Sequence, residues 1–319
     1  MPIGVWKPLA TMPISLRKNA ARGTVGLDID GRYLAAVQVS DGRIEKAAST
    51  ELPEGIVRDG EVADPEALAA ALKDFAAMAG LPKSVRLGVS NQQIVVRLLE
   101  LPVIEDQQER DAAVRFEAAD AIAMPLDEAI LDHQIAGAGG FDNGVPRMRI
   151  VVVAARRTMI DGFVAAAKSA GLKPAGIDLD AFALVRMLAE GSPSGDAARV
   201  FCHLGGVTNL AVAVGEACLF ARPLSGSSGT DTAASELADE IRLSIDYYMT
   251  QPQAQPVDQV VFSGPGARDD ALIESLSEHL GLPTLVAEPL GSIDAAGLAG
   301  DEDPYRYTVA AGLALGAAA

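Results

Sequence analysis

One supersecondary unit occurs twice in this chain, and no other feature narrows the fold as much. Its first copy runs along Thr24 to Ile29, turns at Asp30-Gly31 and returns along Tyr33 to Val39. It turns again at Asp41-Gly42 and closes with Arg43 to Thr50. Aspartate-glycine pairs supply the φ > 0 residues of tight hairpin turns. A helix follows, with Asp64 as its cap, Pro65 at its first position and Leu68, Leu72, Phe75 and Ala79 as its apolar stripe. Val85 to Val89 is the next strand. The second copy has strands at Val200 to Leu204, Asn209 to Val214 and Ala217 to Leu224, with turns at Gly205-Gly206 and Gly215-Glu216. Its helix carries Leu237, Ile241, Ile245 and Tyr248 on one face, and Val257 to Phe262 is its last strand, ended by Gly264-Pro265-Gly266. The copies start roughly 175 residues apart, a repeat of pattern more than of residue identity. Two α/β lobes of like topology follow from it.

A different pattern stands between the copies. Ile94 to Leu101 reads as a strand stopped by Pro102. Glu105 to Ala123 reads as a helix with acids in its first turn and with Ala112, Phe116, Ala119 and Ala123 on its inward face. Two strands, Ala129 to Ala136 and Arg147 to Ala155, flank a glycine-rich loop at Gly137 to Gly144, and Thr158 caps a further helix. These readings divide the chain into a basic arm (1–22), a first lobe (23–90 and 173–190), an inserted α+β subdomain (91–172) and a second lobe (197–319). The segment Gly191 to Gly195 is the linker before the second lobe.

Charge and composition exclude several functions. The net charge of −17 lacks the basic surface that nucleic-acid binding demands. Before Asp28 the charged residues are Lys7, Arg17, Lys18 and Arg22, all cationic. Such an arm is read as a flexible basic extension, the alternative being contact with an anionic membrane at about 1 kcal/mol per cation. Pro2, Pro8 and Pro13 break helices there, and nothing in it resembles the apolar core of a signal peptide. No stretch reaches the roughly 18 apolar residues of a membrane span. Cys202 and Cys218 lie in strand-like runs without metal-ligand spacing, which suits a reducing cytoplasm.

Local motifs then point to a family. Arg115-Phe116-Glu117-Ala118, Pro125-Leu126-Asp127-Glu128 and Leu131-Asp132-His133-Gln134 resemble the inserted subdomain of the PilM proteins of type IV pilus assembly. Val153 to Arg157, Ala170 to Pro174, Thr208-Asn209-Leu210, Glu240-Ile241-Arg242 and Leu52-Pro53 to Asp64 follow the same family in register. The resemblance covers about Gly26 to Gly316. It implies an α/β, actin-like fold (a duplicated RNase H-like core of two lobes) with an inserted small α+β subdomain. The cell-division protein FtsA is similar in architecture but lacks the paired phenylalanine-glutamate and proline-leucine-aspartate-glutamate motifs.

The resemblance also implies ATP and Mg²⁺ between the two hairpins, held by Asp28, Gly31 and Arg32 from the first lobe. From the second it implies Gly205, Gly206, Thr208 and Asn209 on phosphate and Glu240, Ser244, Gly264, Pro265 and Gly266 around adenosine. Asp28 stands at the Mg²⁺-side acid. Three departures weaken the match: Asp30 replaces a glycine, Ala35 a lysine and His203 a water-ordering aspartate. A carboxylate 4 Å from a phosphate charge costs about 4 kcal/mol at an effective dielectric near 20. Two readings of the first turn stand open: a bare hairpin, or one in which Arg32 offsets Asp30 or contacts phosphate itself. His203 is either a general base or a structural histidine. Binding through the second lobe with hydrolysis slow or absent is the expectation.

By the same resemblance the partner is the N-terminal tail of a PilN-like inner-membrane protein, and the chain is cytoplasmic and peripheral to that membrane. The tail would lie in a groove involving Val96, Arg97, Leu98, Glu100 and Arg115. An ATP-dependent enzyme or an FtsA-like polymerising protein is the alternative. A sugar kinase of this fold needs a catalytic aspartate in the cleft, for which the sequence offers no clear candidate.

Overall fold

A computed structural model describes residues 24–189, 197–224, 231–251, 254–291, 293–300 and 302–318. The basic arm and the linker at Gly191 to Gly195 lie outside the described residues.

The first copy of the repeat is built on β1 (Val25–Ile29), β2 (Tyr33–Ser40) and β3 (Arg43–Glu51), an antiparallel meander. A small ribbon, β4 (Val57–Arg58) and β5 (Glu61–Val62), precedes α1 (Pro65–Met78) and β6 (Ser84–Val89). Asp64 caps α1 by accepting the Ala67 N–H at 2.9 Å, and Pro65 opens it. The insert follows as β7 (Val95–Pro102), α2 (Gln107–Ala121), β8 (Ala129–Asp142) and β9 (Val145–Arg156). The first lobe resumes with α3 (Arg157–Ser169), β10 (Lys173–Leu179) and α4 (Asp180–Leu188). The second copy comprises β11 (Ala198–His203), β12 (Thr208–Val214), β13 (Ala217–Leu224), α5 (Asp231–Met249), β14 (Val257–Ser263), α6 (Asp270–Leu280) and β15 (Thr284–Val286). The helix α7 (Thr308–Ala318) ends the chain.

Two sheets share one strand plan. The first runs β3-β2-β1-β6-β10 and the second β13-β12-β11-β14-β15, each a meander extended by two parallel strands. β1 is buried at every residue, as expected of a strand covered on both faces. Alternation on β2 sends Leu34 and Ala36 to the core shared with α1 and α3, and Tyr33, Ala35 and Val37 to the core shared with α7. α4 packs on β6 and β10 of the first sheet and on β11, β12 and β13 of the second, so it joins the lobes.

Several expectations fail here. α7, grouped at first with the second lobe, packs on β1, β2 and α4 instead. Glycines on both sides of the contact make this possible: a Cβ on Gly26 of β1 would lie 2.0 Å from the Ala310 carbonyl, and one on Gly312 of α7 would lie 2.0 Å from that of Ala183. The glycine run at Gly137 to Gly144 is mostly strand, because β8 keeps pairing with β9 through bulges as far as Asp142. Pro102 ends β7 from inside the strand, in register with Arg147. α3 has Arg156 as its cap residue, with no side-chain cap, so Thr158 caps nothing. On α2, Val114, Ala118 and Ile122 face the insert sheet, while Phe116 is 74% exposed with Ala112, Ala119 and Ala123 beside it. In a helix so rich in alanine two faces carry apolar residues, and packing selects the branched pair Val114 and Ile122.

Candidate functional site

The two hairpin turns meet across the lobes. Asp30 ends β1 and is only 5% exposed. Both oxygens of its carboxylate accept the Gly206 N–H, at 2.7 and 2.8 Å. The N–H groups of Val207 and Arg32 also hold its charge. The seat admits only glycine: a Cβ on Gly205 would lie 2.3 Å from one carboxylate oxygen, and one on Gly206 would lie 2.2 Å from the other. Such a nest of backbone N–H groups is an anion site. Burial pushes the Asp30 carboxyl up to about 6, against the N–H bonds that lower it, so at neutral pH it is an anion. Asp30-Gly31 is therefore more than a bare turn; of the two readings, neither foresaw a contact across the lobes.

A second crossing lies close by. The Ser90 hydroxyl, just after β6, donates to the Asn209 side-chain carbonyl, whose Nδ2 donates to the Val207 carbonyl at 3.3 Å. A cleft of about 510 Å³ opens beside the clasp, lined by Gly31, Arg32, Glu54, Arg58, Asp59 and Val207 among others.

Beneath the clasp is a set of buried acids. Asp28 is 2% exposed, and its carboxyl is pushed well above the usual carboxylate range by burial, then by Asp180 and Asp30. Asp180 opens α4, and burial, followed by Asp30 and Asp178, pushes it up to about 8. A Cβ on Gly88 would lie 2.3 Å from Asp180 Oδ1, which has no hydrogen-bond partner among the described residues. Carboxyls buried together cannot all ionise. Asp180 is a buried acid beside Asp28 and Asp30 that the sequence reading did not single out. Its signal was the alternation Asp178-Leu179-Asp180 at a strand end. Asp178 serves the framework instead, accepting from Arg86 at 3.4 Å and Arg186 at 3.0 Å.

His203 is 1% exposed at the end of β11. Its Nδ1 lies 3.1 Å from Ser263 Oγ, and Nε2 has no partner among the described residues. Burial lowers its pKa to about 4, so it is neutral. It packs against Gly264, where a Cβ would lie 2.9 Å from its Cε1. This favours the structural reading of His203. The turn at Gly264-Pro265-Gly266 is tied to the end of β11: the Gly266 N–H donates to the Leu204 carbonyl at 2.9 Å, while Pro265 has no N–H to offer. Glu240 pairs with Arg222 at 3.5 Å, and the buried Ser244 hydroxyl donates to the Glu240 carbonyl at 2.6 Å. Thr208 is half-buried at the start of β12.

The fit to Mg²⁺ and a nucleotide is poor in this arrangement. A hard cation needs ionised oxygens, and burial and the facing Asp180 and Asp30 push the Asp28 carboxyl up, against that form. A phosphate needs free N–H donors, and Gly206 is taken by Asp30.

The partner residues fall into two sets. Val96 is 3% exposed within the main core and Leu98 packs against that core, so these two do not line an open groove. The cavity beside Val96 holds only about 20 Å³. Arg97 donates to the Val96 carbonyl at 2.9 Å, and the Glu100 carbonyl accepts from Arg147 at 2.8 Å. Arg115 is exposed on α2 next to Phe116.

The family model described as type IV pilus assembly protein PilM matches residues 26–225 and 233–318, nearly the whole chain. The chain belongs to the PilM family. Among solved structures, this PilM-family chain is similar to a chain of a PilM–PilN type IV pilus biogenesis complex: 24% identity, 93% of this chain and 99% of that one covered, TM-score 0.79. Lower similarities reach the cytoplasmic domain of EpsL of the Vibrio cholerae type II secretion system (13% identity, 92% and 93% covered, TM-score 0.45). They also reach a Bacteroides thetaiotaomicron protein of actin-like ATPase fold and unknown function (10% identity, 85% and 92% covered, TM-score 0.46). The architecture is the actin-like one: two sheets of one plan, joined by α4, with an inserted three-stranded sheet. Among the described residues no helix is long and apolar enough to cross a membrane.

Proposed function

We propose that this PilM-family chain is a cytoplasmic adapter of a type IV pilus assembly machine, peripheral to the inner membrane, that binds the N-terminal tail of a PilN-like single-span protein. The observation that carries the reading is the family match along almost the whole chain, together with the similarity to a chain solved in a PilM–PilN complex. The site geometry agrees. The interlobe seat is filled by the chain's own carboxylate, which competes there with any phosphate. Protein contact is then the remaining use of the fold. On the insert, α2 offers Phe116 and Arg115 outward, an apolar anchor beside a cation, the residue types that carry peptide recognition.

A fluorescently labelled tail peptide titrated with the full chain tests this. Binding that weakens at least tenfold in Phe116→Asp or Arg115→Glu supports the reading, since tenfold is about 1.4 kcal/mol. A tail that does not bind the wild-type chain overturns it.

A further inference from the structure

We infer that Asp30 is a tethered anion that occupies, on the second hairpin, the seat a phosphate group would need, so that the lobes clasp with no ligand between them. This deepens the reading of a weakened nucleotide site and rests on it. The Gly206 N–H of the second lobe reaches both oxygens of a carboxylate carried by the first, and the backbone N–H groups of Val207 and Arg32 lie close enough to favour its charged form. Glycine pairs that leave no room for a Cβ are the usual means of letting an anion approach backbone N–H groups this closely. Here the anion is covalently part of the opposite hairpin: a Cβ on Gly205 or Gly206 would collide with the carboxylate.

The chain separation makes this a cross-lobe device and not a local turn. Asp30 and Gly206 are 176 residues apart in sequence. The Ser90 hydroxyl bonded to Asn209 gives a second tie between the same lobes. A phosphate-bearing ligand would have to displace a carboxylate that is tethered at high effective concentration and repels it. Conversely, removing that carboxylate frees the Gly206 and Val207 N–H groups toward the cleft of about 510 Å³. The ligand class that the emptied seat fits is a di- or triphosphate, whose terminal group takes the place of the carboxylate.

The test uses the full chain, with MgATP and magnesium pyrophosphate as probes in calorimetry, and amide hydrogen exchange of residues 204–208 as a second readout. Asp30→Gly empties the seat, and Asp30→Asn keeps the shape while removing the charge. The inference expects no heat and unchanged exchange for wild type with either probe. It expects binding at least tenfold tighter in Asp30→Gly, and faster exchange at Gly206 in the ligand-free variant. Wild type that binds MgATP as tightly as the variants defeats both the inference and the weakened-site reading. Probes that bind neither wild type nor either folded variant defeat the inference alone. Should Asp30→Gly fail to fold, Asp30→Asn and the wild-type exchange decide: rapid exchange at Gly206 in wild type refutes a clasp.

Discussion

Replacing Asp180 with asparagine probes the buried carboxyl at the joint between the lobes. Asp180 is 6% exposed, its Oδ1 has no partner among the described residues, and its carboxyl rises from an ordinary 3.8 to about 8 through burial and the facing Asp30 and Asp178. A carboxyl with a raised folded pKa is protonated in the native state and ionised in the unfolded one. The unfolded chain therefore binds fewer protons, and stability falls as pH climbs from about 4 to about 8. Each pH unit in that window costs about 1.36 kcal/mol for this one group. From pH 5 to pH 8 the sum is about 4 kcal/mol, which asparagine does not incur. Urea unfolding of both proteins, followed by circular dichroism at half-unit pH steps, reads the difference. The account expects Asp180→Asn to gain about 4 kcal/mol on wild type across the window, most of it before pH 8. A difference constant within about 0.5 kcal/mol from pH 5 to 8 would refute the claim that Asp180 is held neutral.

Two further outcomes test the framework. Asp178→Ala removes the carboxylate between the buried Arg86 and the half-buried Arg186, and unfolding free energy should drop by about 3–5 kcal/mol; the double variant with Arg86→Met should recover much of that loss in the same urea assay, and a single-variant loss below about 1 kcal/mol speaks against a buried Arg86–Asp178 pair. His203, lowered to about 4 by burial, resists protonation when folded, so wild type should lose about 3 kcal/mol relative to His203→Asn as pH falls from 6.5 to 4; a relative stability that does not move over that range contradicts a buried neutral imidazole.

Much of the fold was legible because it is written in local chemistry. Asp30-Gly31, Asp41-Gly42 and Gly215-Glu216 mark turns by φ preference, and the alternation of β2 assigns its faces. The meander and the cap at Asp64 needed no long-range information. What stayed hidden depends on partners far along the chain. The carboxylate of Asp30 meets Gly206 across the lobes, a contact no local pattern encodes. α7 looks like the end of the second lobe by order, and only the missing side chains of Gly26 and Gly312 record its return to the first. Asp180 opens a helix, a position where an acid is ordinarily solvated, and only the packing of both lobes around it shows that it is buried. On α2, Phe116 read as core because alanine fits either face, and Val96 read as groove because a strand's two faces cannot be told apart until the neighbouring sheet is known.

The adapter reading is tested most directly by titrating the wild-type chain with the PilN-like tail peptide in the presence and absence of MgATP. A chain clasped by its own carboxylate should bind the peptide with the same affinity in both, within twofold. Binding that appears only with MgATP would mean that nucleotide, and not Asp30, closes the lobes.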